Sequence, residues 1–146
     1  MQTVLNLETL LSLILSVVFG LVVGIEREHN HRPAGLHTHM LVSLGACVFT
    51  IVSMSFETTP TQIASGIVAG IGFIGAGTIW AERDRVQGIT TAASLWATAA
   101  IGLTVGIGDY LLATTVTVLV LIILGSKYFF TKIGFERHQI ESKQDH

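Results

Sequence analysis

The chain has 146 residues, half of them hydrophobic and only 12% charged, with a formal net charge of -2 and a mean hydropathy of +0.65. This composition is a poor fit to a soluble single domain, and its dispersed basic residues offer no mass of positive charge for nucleic acid. Five membrane helices at ~20 residues each would use most of the length, which leaves no room for a separate catalytic domain.

The lysines and arginines fall in three short stretches: Arg27 and Arg32; Arg83 and Arg85; and Lys127, Lys132, Arg137 and Lys143. Apolar segments separate them, and the intervening connections around Glu57 and Asp109 carry no basic residue. Because cytoplasmic loops retain positive charge, the alternation predicts an all-α bundle of five transmembrane helices. It places the N-terminus outside and the C-terminus in the cytoplasm.

The first span is predicted over about residues 7–25. Residues 1–9 contain no Lys or Arg and Glu8 is acidic, so the charged start of a signal peptide is missing and the segment reads as a retained span. Gly20 and Gly24 lie four apart on one face, a spacing that lets two backbones approach. A polar loop with Pro33 and Gly35 leads to a second span over about 38–54, for which Thr38 is the expected cap. Cys47 is alone inside this span, so no intrachain disulfide can form, and it reads as packing filler or as a regulatory or subunit contact. Thr59-Pro60 then has the form of a helix start.

The third span, about 62–80, is the richest in small residues, with Gly66, Gly70, Gly72, Gly75 and Gly77. A nearly bare backbone face makes it the expected centre of the bundle; a broken, transporter-like helix is the alternative. No strand precedes these glycines, so they do not form a nucleotide fingerprint. Residues 81–88 carry two acidic and two basic groups and read as a solvated loop or a partner contact. In the fourth span, about 89–107, the hydroxyls of residues such as Thr91 are expected to bond to carbonyls or across helices, and Trp96 belongs to its packing set. The fifth span, about 111–130, looks peripheral and lipid-facing. Residues 1–130 therefore form one transmembrane domain and residues 131–146 a short charged cytoplasmic tail.

The polar constellation most able to carry chemistry is Glu26, Arg27, Glu28, Arg32, His37, Thr38 and His39, all near the inner face. A carboxylate at the hydrocarbon boundary either pairs with Arg27 or Arg32 as scaffolding or handles protons or cations. His29/His31 and His37/His39 lack zinc-enzyme spacing. Glu26, Glu28, Glu82 and Asp84 are a weak candidate for magnesium, since Arg83 and Arg85 compete for them. No Ser/His/Asp arrangement is present, so no enzyme activity, catalytic residue or cofactor is expected.

Four blocks of the sequence resemble the bacterial MgtC/SapB membrane proteins: residues 20–28, 32–42, 65–77 and 88–96. The similarity runs from about residue 17 to 125. It implies an inner-membrane protein tied to magnesium limitation, acid adaptation and, in pathogens, survival in phagocytes. It also implies a regulator that restrains the F-type ATP synthase by contact, with a cation transporter or channel as the alternative. Lipid, a second copy, a membrane partner such as that synthase, and Mg2+ are the expected associates. The family's notable positions fall here on Glu26, Arg27, Glu28, Arg32, Gly35, Thr38, His39, Thr91, Ala92, Trp96 and the glycines of the third span. This sequence departs from the family pattern at His37, Thr59, Gln62, Gly66 and Gln87, and the ACT-like C-terminal domain of many members is not expected.

Overall fold

A computed structural model of the chain describes residues 6–54, 60–82 and 85–132, excepting the side chains of residues 60, 82 and 127–132. Helices α1 (Leu7–His29), α2 (Leu36–Met54) and α3 (Pro60–Ala76) are followed by the strands β1 (Trp80–Glu82) and β2 (Arg85–Gln87), then α4 (Ile89–Gly106) and α5 (Tyr110–Lys132). Helices α1, α2 and α4 are long and apolar enough to cross a membrane, while Thr61–Ala76 and Tyr110–Ser126 are shorter apolar stretches.

Side chains and local backbone turns set the helix ends. Asn6 caps α1, its Oδ1 accepting the Thr9 N–H at 2.8 Å. Asp109 does the same for α5 through the Leu112 N–H at 2.9 Å, and each bond satisfies a donor that a helix start leaves orphaned. At the far end of α1, which runs four residues beyond the predicted Ile25, the Arg32 N–H reaches the Arg27 carbonyl and the His31 N–H reaches the Glu28 carbonyl. His31 holds φ 51 between them. This is a Schellman turn with histidine where glycine is usual. His31→Gly is therefore expected to raise stability by about 0.5 to 1 kcal/mol, read as a later unfolding transition in detergent. An unchanged transition would mean that the left-handed residue is not strained. The same turn ends α4, with Gly108 at φ 85 and the Asp109 N–H on the Thr104 carbonyl.

The start of α2 differs from the expected Thr38 cap, because the helix begins two residues earlier, at Leu36. Its first N–H is taken by the Glu28 carboxylate of α1 at 3.0 Å, so the cap comes from a neighbouring helix. A Cβ at Gly35 would overlap Glu28 Oε2, so a larger residue there would displace the carboxylate from its capping position.

The third helix also departs from expectation. It stops at Ala76 rather than Trp80 because Gly77 and Thr78 turn back onto it, the Thr78 hydroxyl bonding the Gly75 carbonyl at 2.8 Å. Residues 80–87 return as an antiparallel hairpin pairing Trp80 with Gln87, Ala81 with Val86 and Glu82 with Arg85. This is the departure from an all-helical chain among the described residues. Gly88, at φ 90, turns the hairpin into α4, and a Cβ there would overlap the Thr78 carbonyl.

Helix α3 is not the centre of the bundle. A Cβ built at Gly66, Gly70 or Gly72 would meet nothing within 4 Å, and only Gly75 comes near α4, at 3.4 Å from the Ala92 Cβ. The close approaches use two other glycine pairs. A Cβ at Gly20 would lie 2.6 Å from the His39 carbonyl oxygen and one at Gly24 2.6 Å from the Leu36 Cα. On the other side, Gly102 abuts the Ser43 carbonyl and Gly106 lies against Thr50 and Cys47. Helix α2 is thus clasped between α1 and α4 at backbone contact, the geometry that small residues four apart permit.

Two small cores form around this clasp: Val23, Cys47, Ile101, Val105 and Ala113, and Ala34, Ala46, Ile71, Leu95 and Ala99. Cys47 is fully buried. Helix α5 lies at the periphery, packing Ala113 and Thr117 inward and leaving Leu111, Leu119, Ile122 and Ile123 exposed. Tyr110 ties it to α1 through the Ser12 hydroxyl at 2.9 Å. The expected Thr59 cap, Glu57, Arg83, Asp84 and residues 133–146 lie outside the described residues.

Candidate functional site

The end of α1 and the starts of α2 and α4 converge at one end of the bundle, and buried polar groups collect there. Arg27 is only 3% exposed. Its guanidinium donates to the Thr91 hydroxyl of α4 at 3.3 Å, and its Nη1 lies 3.7 Å from Glu26 Oε2. That is a loose ion pair, since charge-assisted N–H···O bonds are normally near 2.7–2.9 Å. The other Glu26 oxygen accepts from the Asn30 amide at 2.7 Å. Arg27 Nε and Glu26 Oε2 are buried without a hydrogen-bond partner.

His39 sits on the buried face of α2 with no exposed surface. Its Nδ1 lies 2.9 Å from the Gly35 carbonyl and its Nε2 3.1 Å from the Ser94 hydroxyl of α4. Ser94 also bonds back to the Thr91 carbonyl at 2.8 Å. The result is one polar node tying three helices: Glu26 and Arg27 on α1, His39 on α2, and Thr91 with Ser94 on α4. Such a node, dry on most sides, strengthens each bond and penalises each unmade one.

Of the sequence-predicted cluster, the structure joins Glu26, Arg27 and His39 in the node, while the exposed Glu28 caps α2. Arg32 is exposed, and His37 and Thr38 turn away from His39 toward a different surface. The hydroxyls of α4 do bond as expected, Thr98 to the Ser94 carbonyl and Thr104 to the Ala100 carbonyl. Trp96 is half exposed. Ser94 was not among the predicted site residues, although the spacing Thr91, Ser94, Thr98, Gly102, Gly106 marks one small and polar face of α4. Among the described residues, no group of three or more His, Cys, Asp or Glu is placed to hold a metal ion.

The second candidate surface is a groove of about 850 Å³ between α2 and α3, with Ala99 of α4 among its lining residues. It follows about 18 Å of α2 from His37 to Phe49 and is almost wholly apolar, with polar side chains from His37, Thr38 and Gln62. Gly45, Gly66 and Gly70 line it, and none of the described residues lies over them.

Comparison with known proteins agrees with this architecture. The model of the MgtC family matches residues 13–133. The chain is 42% identical to Protein MgtC of Salmonella typhimurium over 113 residues, which is 77% of this chain and 49% of the relative. It is 43% identical to Protein MgtC of Brucella abortus over 106 residues, 71% of this chain and 44% of that relative. The chain thus spans about half the length of the curated relatives it matches. No solved structure matches. With a family model covering most of its length and helices long enough to cross a bilayer, this chain belongs to the MgtC family of membrane proteins.

Proposed function

We propose that this protein acts in magnesium and acid-stress homeostasis by helix contact inside the bacterial inner membrane, as part of a larger assembly. The spans number five, with the arginine-bearing end of the bundle in the cytoplasm. The observation that carries the reading is the groove between α2 and α3. Inside this molecule, glycines four apart on α1 and α4 each receive a neighbouring backbone, whereas Gly66 and Gly70 have the same spacing and receive none. In lipid, where apolar burial gives little drive, an open glycine face is suited to close packing against another helix. The F-type ATP synthase or a second copy of the chain would supply that helix, and the polar node would hold the bundle in shape.

Two measurements test the proposal. Purified protein in liposomes is expected to move neither Mg2+ nor protons above the empty-vesicle rate. Saturable, protein-dependent flux would favour a cation pathway instead. In a Cys47→Ala background, cysteine at Gly66 or Gly70 is expected to crosslink to a membrane protein or another copy in magnesium-limited cells, while cysteine at the lipid-facing Ile123 is not. Equal capture from both positions, or none from either, would overturn the contact reading.

A further inference from the structure

A neutral His39 ring can satisfy both of its nitrogens, but not all three contacts around His39 and Ser94 at once. The Gly35 carbonyl can only accept, so Nδ1, 2.9 Å away, carries a hydrogen. Ser94 has one hydroxyl hydrogen and two acceptors in reach, the Thr91 carbonyl at 2.8 Å and His39 Nε2 at 3.1 Å. The hydroxyls of Ser16, Ser53 and Ser126 bond the carbonyl three residues back in the same way, whereas Ser12 bonds four back and the buried Ser43 hydroxyl has no partner. With Ser94 bonded to the Thr91 carbonyl, a bare Nε2 lone pair would face the lone pairs of the Ser94 oxygen. All three contacts hold together only when Nε2 also carries a hydrogen.

We infer that His39 is a proton-binding site whose occupancy re-aims the Ser94 hydroxyl. When a proton from water joins Nε2, the ring donates to Ser94 Oγ and the Ser94 hydrogen turns to the Thr91 carbonyl. When the proton leaves, the hydroxyl turns back to Nε2, and that carbonyl loses its side-chain bond. No other bond changes. The protonated state keeps two Ser94 bonds, the neutral state one.

The ionisable neighbours lie on α1: the buried guanidinium of Arg27 and the Glu26 carboxylate. Helix α4 contains no ionisable residue and presents only Thr91 and Ser94. On α2 itself, His37 is exposed while His39 is buried. Thr91 both accepts from Arg27 and flanks the switched hydroxyl, so proton binding reaches the α1–α4 contact through a single residue. The inference does not depend on the proposed function, because it is read on the isolated protein.

The test is ring 15N NMR of histidine-labelled protein in lipid nanodiscs, titrated from about pH 8 to 5. His29, His31, His37, His138 and His146 are replaced by Gln so that the signal belongs to His39. Two protonated ring nitrogens are expected on the acid side, converting to the Nδ1–H tautomer as pH rises. Ser94→Ala removes two bonds from the protonated state and one from the neutral state. It is expected to lower the midpoint by about one pH unit, and Ser94→Thr to restore it. Should Ser94→Ala not fold, Ser94→Cys, a poor acceptor, carries the same expected fall. A ring neutral throughout, an Nε2–H tautomer, or an unmoved or raised midpoint in the Ser94 variant would overturn the site.

Discussion

Gly102→Val is expected to abolish the folded bundle, costing about 3 kcal/mol or more. The Cβ of any residue there collides with the Ser43 main chain of α2, and a backbone cannot swing aside as the tip of a side chain can. Repair would require α2 to move away from α4 and so to press on Gly20 and Gly24 of α1, where its backbone is already in contact. The paired substitution Gly66→Ala with Gly70→Ala is expected to leave unfolding within about 0.5 kcal/mol of the parent, because both added methyl groups enter open groove. Thermal unfolding in detergent, read beside the elution profile, separates the two. A parental transition in the Gly102 variant would show that α2 and α4 do not touch through their backbones. A collapse of the double variant would show that the groove is closed.

Glu26→Ala is expected to destabilise by about 3 kcal/mol, while Glu26→Ala combined with Arg27→Met is expected to recover most of that loss. The asymmetry follows from the burial of Arg27. Its guanidinium has one hydroxyl bond at 3.3 Å, one carboxylate at 3.7 Å and an unpartnered Nε. Removing the carboxylate strands a buried cation, whereas methionine fills a similar volume and needs no partner. A double-mutant cycle measures the coupling. Additive losses would mean that Glu26 and Arg27 act independently.

Much of the fold was legible from charge and hydropathy, because each apolar segment must satisfy its own backbone polar groups. The segment from Leu7, the helix start at Pro60, the peripheral fifth helix and the Gly20/Gly24 contact all appear as read. Boundaries were less legible where a distant residue sets them. Thr38 has the local chemistry of a cap, yet Glu28 of another helix takes that part. The third span is predicted to run to Trp80, which instead begins a hairpin, since Gly77, Thr78 and Gly88 bend the chain on either side of it.

The chain alone determined that its helices would be apolar and roughly how long they would run. Those properties follow from local composition and from 3.6-residue periodicity. Only the tertiary structure decided which glycine pairs receive a neighbour and which stay open, and that His39 rather than His37 meets Ser94. Spacing on one helix fixes which residues share a face. It does not fix what that face will meet, because docking depends on the combined shape of all the helices.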